Sequence, residues 1–296
     1  MSDVRDVSSE AMPSFPAREA TGHKGTYGRV LLVGGSRGMA GSIAMSGMAA
    51  LRAGAGLATV ATPRVIQSVV AGFSPLLMTV GLADDDDHFA HDALPPLQDL
   101  AEESDVVAIG PGLGRSASVR TIVAALYRHV PQPMVVDADA LNALAELEGV
   151  LESPQGPRVL TPHPGEMARL TGSKVGETDD DRSLAATRLA QLDPSGKTIV
   201  VLKGHRTVVA SAQSISINET GNPGMATAGA GDVLTGIIAG LLAQGMEPWE
   251  AARLGVYLHG QAGELVRERI GDAELLASDL PDAVPMVRKR LAAMAE

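Results

Sequence analysis

From Asn222 to Asp232 the chain reads Asn-Pro-Gly-Met-Ala-Thr-Ala-Gly-Ala-Gly-Asp, with a further glycine at Gly221. Apolar residues then recur at Val233, Leu234, Ile237, Ile238, Leu241 and Leu242. That spacing is one buried helical stripe, and Gly245 suits its end. Glycines leave room for an anion to reach the free N–H groups of a helix's first turn. The segment therefore predicts an anion hole at Gly229, Ala230 and Gly231. Asp232 falls at the helix start, where it is either a plain N-cap or a reacting carboxylate. A cap alone needs no run of glycines before it, so the pattern points to a carboxylate working beside a phosphate.

Other turns carry chemistry-bearing residues after short apolar runs: Gly34-Gly-Ser36, Gly110-Pro-Gly-Leu-Gly114, Asp137-Ala-Asp139, Thr161-Pro-His-Pro-Gly-Glu166 and Lys203-Gly-His-Arg-Thr207. In an open α/β sheet such strand ends line one ligand crevice. Several roles stay open at this level. Lys203 is a cation for phosphate or a solvated strand end. His163 and His205 are ligand contacts or ordinary loop residues. Glu166 holds Mg²⁺ through water or caps the helix that follows it.

Three competing motifs weaken on inspection. Gly34-Gly-Ser-Arg-Gly38 matches a hydrolase elbow, with Asp232 and His259 in the matching order, but that reading leaves 110–114 and 220–231 unused. Gly110 to Gly114 approaches a dinucleotide fingerprint, yet its third glycine comes one residue early and Pro111 stiffens the turn. No glycine run ends in Lys-Ser or Lys-Thr, which argues against a P-loop. The seven histidines form no metal pattern of i, i+4 spacing. The acidic run Asp84–Asp87 before His88 and His91 reads as a solvated loop.

These turns need a scaffold. Strands are expected at 29–33, 58–61, 106–109, 134–136, 159–160, 198–202 and 207–210. Helices are expected at 42–53, 118–128, 140–146, 166–170, 182–192, 232–243, 249–270 and 279–294. The apolar strands alternate with Ala-rich helices, which predicts a three-layer α/β/α fold with a mostly parallel central sheet. One domain over 21–296 and a mobile tail over 1–20 fit the pattern. The chain has 296 residues, no cysteine and a formal net charge of −11. The acidity argues against nucleic acid, and no apolar run reaches membrane-spanning length. Gly236 and Gly240 read as a close helix contact in the core. Absent cysteines and absent targeting signals fit the cytoplasm.

Taken in order, these turns resemble the ADP/ATP-dependent NAD(P)H-hydrate dehydratases, stand-alone bacterial type. The shared series is Lys24-Gly-Thr-Tyr-Gly28 with Val33-Gly-Gly-Ser36, then Gly110–Gly114, Asp137-Ala-Asp-Ala-Leu-Asn142, Thr161–Glu166, Lys203–Thr207 and Asn222–Asp232. The resemblance implies a ribokinase-like fold. It implies a lyase of metabolite repair that phosphorylates the 6-hydroxyl of hydrated NADH or NADPH and eliminates phosphate. Asp232 would be the base. Ser42, Gly114 and His163 would line the hydrate pocket, with Asn142 at its border. Lys203, Gly204, His205, Arg206, Thr207 and Gly231 would contact the adenine nucleotide. The phosphoryl donor would be ADP in preference to ATP, with Mg²⁺, in a homotetramer. Ala228 and Ala230 depart from the Gly and Thr or Ser common in the family, and Ser42 stands where Ala is common. The chain has no room for a fused epimerase, so a separate epimerase would be a partner. The competing functions are a ribokinase-like kinase of a small alcohol, of hydroxyethylthiazole or pyridoxal type, and a non-catalytic nucleotide-binding module.

Overall fold

Along each central strand, neighbouring residues feed opposite cores. In β2 (Arg29–Val33), Val30 and Leu32 face one core, while Leu31 and Val33 face the other. Strands covered on both faces must be apolar at every position, which is why they read as continuous apolar runs. The computed structural model describes residues 4–294. Its other strands are β1 (Arg5–Asp6), β3 (Leu57–Pro63), β4 (Met78–Leu82), β5 (Val106–Ile109), β6 (Met134–Val136), β7 (Arg158–Leu160), β8 (Thr198–Leu202), β9 (Val208–Ala210) and β10 (Ser214–Ile217). They form one sheet in the order β1-β10-β9-β8-β7-β6-β5-β2-β3-β4. It is parallel from β4 to β8; β9 and β10 then run antiparallel in turn, and β1 pairs parallel with β10.

The helices are α1 (Ala40–Ala53), α2 (Gln67–Phe73), α3 (Leu94–Glu102), α4 (Ala117–His129), α5 (Ala138–Ala145), α6 (Pro164–Thr171), α7 (Asp179–Ala190), α8 (Ala230–Ala243), α9 (Pro248–Ile270) and α10 (Leu280–Met294). α1, α2, α8, α9 and α10 cover one face. α3 to α7 cover the other. This is the expected three-layer arrangement.

Three strands and two helices were not anticipated. β4 is a half-exposed edge strand containing Gly81, so its apolar pattern is weak. β10 is only four residues long. α2 is short, and α3 opens on Pro95 and Pro96, which are tolerated only in a first turn.

Residues 4–20 also depart from the mobile tail expected over 1–20; residues 1–3 lie outside the described residues. The Arg5 and Val7 N–H groups donate to Gln213 and Ile215 carbonyls, each at 2.9 Å. Buried Arg253 then donates to the carbonyls of Val7 at 3.3 Å and Glu10 at 3.2 Å. A polar segment is held here by main-chain pairing and a distant arginine, neither of which has local sequence periodicity.

The chain passes from β2 to β3 and β4 on one side, then returns to place β5, β6, β7 and β8 on the other. β2 and β5 therefore flank the point where the winding reverses. Ligands of open α/β sheets bind outside the carboxyl ends of the strands at such a point.

Candidate active site

α8 brings its N-terminus to that crevice, and two glycines permit the approach. A Cβ on Gly236 would overlap the Ser46 carbonyl, and one on Gly240 would press into Ala50. The expected Gly236/Gly240 contact is thus α8 lying directly on α1. Ser46 Oγ donates to the Asp232 carbonyl at 2.8 Å, fixing the end of the helix. Gly229 is the N-cap residue with φ of 92°, in the left-handed region that favours glycine. The Gly231 and Asp232 N–H groups have no acceptor among the described residues. With the helix dipole behind them, they are open to an anion, whereas the Ala230 N–H of the expected hole donates to the Thr227 carbonyl at 3.4 Å.

Four charged groups converge in front of this hole. Lys203 Nζ lies 2.6 Å from Asp137 Oδ1 and 3.9 Å from Glu166 Oε2. Asp137 Oδ2 accepts from Thr235 Oγ1 at 2.7 Å. Burial opposes the charge on Lys203, but Asp137 and Glu166 hold its pKa above the ordinary lysine value. Glu166 is pushed up by burial, against the pull of Lys203. Asp232 is raised to about 6 by burial and by the nearby Asp137 carboxylate, opposed by the Ser42 hydroxyl and Lys203. A carboxylate held just below neutrality is a stronger base than a solvated one, yet stays ionised at pH 7.

On the sheet's β8 side the crevice opens into a cavity of about 820 Å³. Lys203, Gly204, His205, Arg206 and Thr207 form one wall, with Asn218–Asn222 and Val256, His259 and Gly260 of α9 opposite. Arg206 has φ of 54° and is tied to Asp179 at 2.8 Å and Glu219 at 2.7 Å, so the loop is braced. The lining combines charged and polar side chains, among them Glu166, Lys203, Arg206 and Asp232, with apolar surface from Met225, Leu234 and Val256.

The expected residues do not all meet there. Ser42 faces Asp232. His163 lines the cavity and also caps α6, accepting from Gly165 N at 2.9 Å, while Glu166 Oε2 accepts from the His163 N–H at 2.8 Å. The capping reading of Glu166 is therefore satisfied. Gly114 lies apart from the large cavity, its N–H donating to Asp139 Oδ2 at 3.0 Å. It borders a smaller recess of about 200 Å³ with Arg115 and Asp139. Asn142 lines neither space; its amide is engaged by Arg169 at 2.8 Å and lies 3.4 Å from Asp139. The 84–91 loop is more than a solvated acidic run: Phe89 is fully buried, and His88 packs onto Gly114.

Sequence reasoning gave Thr235 no role, named Asp137 only within a crevice-lining turn, and weighed His259 only in the hydrolase order. Burial pushes His259 down to about 4, so it is neutral, and its Nε2 has no partner. Asp137 stands in a quoted motif, but only folding places it against Lys203, 66 residues away.

The family model described as NAD(P)H-hydrate dehydratase (Carb_kinase) matches residues 30–286. The chain belongs to this family. As a member of the NAD(P)H-hydrate dehydratase family it is 50% identical over 279 residues to the bifunctional NAD(P)H-hydrate repair enzyme Nnr of Moorella thermoacetica, covering 94% of this chain and 52% of that one. It thus spans about half the length of the first curated relatives it matches. It is 40% identical over 283 residues to the ADP-dependent (S)-NAD(P)H-hydrate dehydratase of Neisseria meningitidis, covering 94% and 90%. The Bacillus subtilis ADP/ATP-dependent NAD(P)H-hydrate dehydratase, co-crystallized with ATP/Mg²⁺, superposes with a TM-score of 0.79 at 35% identity, covering 93% and 94%. The ribokinase-like class expected for this family member is also that of a matching solved structure.

Proposed function

We propose that this chain is an ADP-dependent (S)-NAD(P)H-hydrate dehydratase. The observation that carries the reading is Asp232, a carboxylate raised to about 6 at the mouth of a helix N-terminal anion hole and facing the large cavity. The Lys203–Thr207 loop and Gly231 receive the adenine nucleotide. Ser42, Gly114 and His163 receive the hydrated nicotinamide, and Asn142 orders the α5–α6 side of that pocket through Arg169 and Asp139.

In this reading Asp232 takes the proton of the 6-hydroxyl as its oxygen bonds to the terminal phosphorus of the donor. The bond from that phosphorus to the bridging oxygen breaks, and AMP leaves when ADP is the donor. The ring nitrogen lone pair then expels the new phosphate from C6, and loss of a C5 proton restores the dihydronicotinamide. A poor leaving group, hydroxide, has become a good one. The protein's share is positioning and stabilisation of charge on the moving phosphoryl group.

Among the described residues no group of three or more metal-ligating side chains is assembled. Glu166 and Asp137 offer buried carboxylates beside the hole; Asp137 is spent on Lys203 and Thr235, and the Glu166 oxygens serve the capping box and face Lys203. This donor set fits Mg²⁺ carried by the donor's phosphates, with Glu166 reached through water. There Mg²⁺ would offset charge on the phosphates. A homotetramer in the cytoplasm, with a separate epimerase supplying the S form, completes the proposal.

The test is to mix the protein with hydrated NADH and ADP or ATP and follow recovery of NADH absorbance. We expect recovery with ADP, and loss of turnover in Asp232→Asn with nucleotide binding kept. No recovery with either donor overturns the reading. A stable phosphate ester would instead identify a kinase.

A further inference from the structure

Lys203 Nζ does more than border the nucleotide loop. A Cβ built on Gly231 would lie 3.2 Å from this ammonium and 3.9 Å from Asp137 Oδ2. Lys203 therefore stands over the middle of the anion hole, and glycine at 231 is what leaves space for it. The ammonium is held from behind. Asp137, 1% exposed, spends one oxygen on Lys203 at 2.6 Å and the other on Thr235 at 2.7 Å. Thr235 is fully buried and follows Asp232 by three positions, so base and brace share one face of α8.

We propose that Asp137, braced by Thr235, is a positioning residue that aims the Lys203 ammonium at the transferred phosphoryl group, and that Lys203 is thereby a catalytic residue. This rests on the dehydratase reading and deepens it. A lysine has a flexible four-carbon stem and a compact charge, so its aim must come from neighbours. Without Asp137 the nearest carboxylates to receive it are Glu166 and Asp232 itself. Pairing with Asp232 would occupy the oxygen that must accept the hydroxyl proton. Asp137 keeps the cation beside the base but off it. The ammonium has three donors, and Asp137 takes one. The other two remain for Glu166, 3.9 Å away, and for a phosphoryl oxygen.

The step balances without a proton from lysine. The hydroxyl proton goes to Asp232. The substrate oxygen bonds to phosphorus, and the bridging oxygen leaves with its electron pair on AMP. The charge spread over the equatorial phosphoryl oxygens meets the Gly231 N–H and Lys203 Nζ, which keeps its protons throughout. AMP lacks the transferable group, so the Lys203 ammonium acts on the terminal phosphoryl group of ADP and has no counterpart to meet in AMP.

The experiment compares wild type with Lys203→Met, Lys203→Arg, Asp137→Asn and Thr235→Val, by steady-state kinetics and by calorimetric binding of ADP and AMP. Lys203→Met is expected to lose kcat by roughly 100-fold or more, the scale of removing one transition-state donor. Asp137→Asn should lose about 10-fold or more in kcat, with the KM for ADP within about threefold. Thr235→Val, which keeps the side-chain volume, should shift kcat the same way by less. Lys203→Arg keeps the charge but not the fit, and should recover only part of the loss. AMP affinity should stay at the wild-type level in Asp137→Asn and Thr235→Val. Wild-type kcat in folded Asp137→Asn or Thr235→Val overturns the proposal, as does a loss confined to the KM for ADP or shared equally by AMP. Should Asp137→Asn fail to fold, Thr235→Val carries the decision. If wild type restores no NADH, the dehydratase reading fails on its own. The positioning claim is then judged by binding of AMP with aluminium fluoride, a mimic of the moving phosphoryl group, which Asp137→Asn and Thr235→Val must weaken while sparing AMP alone.

Discussion

Asp232 is held in a form it does not prefer. Its pKa, about 6 against 3.8 for the free residue, is raised chiefly by burial and then by Asp137. Turnover should fall as pH drops through about 6, because the protonated carboxyl cannot accept the hydroxyl proton. The same shift bears on stability. A raised carboxyl pKa means the folded state binds more protons than the unfolded state between the two values. Stability is therefore favoured below about 4 and lost as pH rises through about 6. At pH 7 the ionised side chain costs the fold about 1–3 kcal/mol. Asp232→Asn should thus be inactive yet melt higher than wild type at pH 7, with the difference vanishing near pH 4. Melting curves across that range check it, and an unchanged or lower melting temperature at pH 7 would contradict the strained-base account. This is the familiar exchange of stability for a reactive site.

At the level of elements, the site depends on how closely α8 lies on α1. Gly236 faces the Ser46 carbonyl, and Ser46 in turn anchors the Asp232 carbonyl through its hydroxyl. Gly236→Ala would force the two helices apart at a point only one turn from the base. Overpacking of this kind costs about 1–3 kcal/mol. The helix shift should also lower kcat more than nucleotide affinity, because the loop proposed to hold the nucleotide is built on β8 and braced by Arg206. Thermal melts with parallel kinetics check both effects. An alanine variant with wild-type stability and kcat would mean that the contact has slack. The Gly236-x-x-x-Gly240 spacing announced a close helix contact, but α1 as its partner emerged only in the fold.

For the whole molecule, residues 5–10 join the sheet's far edge to α9. β1 covers β10, and Arg253 reaches from α9 to the Val7 and Glu10 carbonyls and to Ser216 Oγ at 3.2 Å. Removing residues 1–10 would expose the β10 edge and leave a buried guanidinium short of acceptors. A loss of about 2–4 kcal/mol is expected. The groups proposed for catalysis lie at the carboxyl ends of the parallel strands and make none of these contacts, so KM and kcat at a permissive temperature should stay near wild type. Denaturant melts and kinetics on the truncated chain check this. An unchanged midpoint would show that the segment contributes nothing.

Much of this protein was legible in its residues because the signals are local. Continuous apolar runs at 29–33, 106–109, 134–136 and 198–202 marked strands buried on both faces, and those strands formed at those positions. Glycines before an apolar helical stripe marked a helix N-terminus with free N–H groups, since free N–H groups and absent side chains are properties of a short segment. The ordered turns marked the family. What no local pattern carried was convergence. Asp137 and Lys203 directly follow β6 and β8 and Thr235 lies in α8, and only the winding of the sheet around its reversal point brings them within hydrogen-bonding distance. Asn142 and Gly114 show the reverse, as motif residues that the packing turns away from the large cavity. The segment over 5–10 was misjudged because its order comes from backbone pairing and one arginine remote in sequence. Residue types and spacing determined which chemistry was available, and the tertiary structure decided which groups meet, because charges act on one another through distance and burial rather than through their order along the chain.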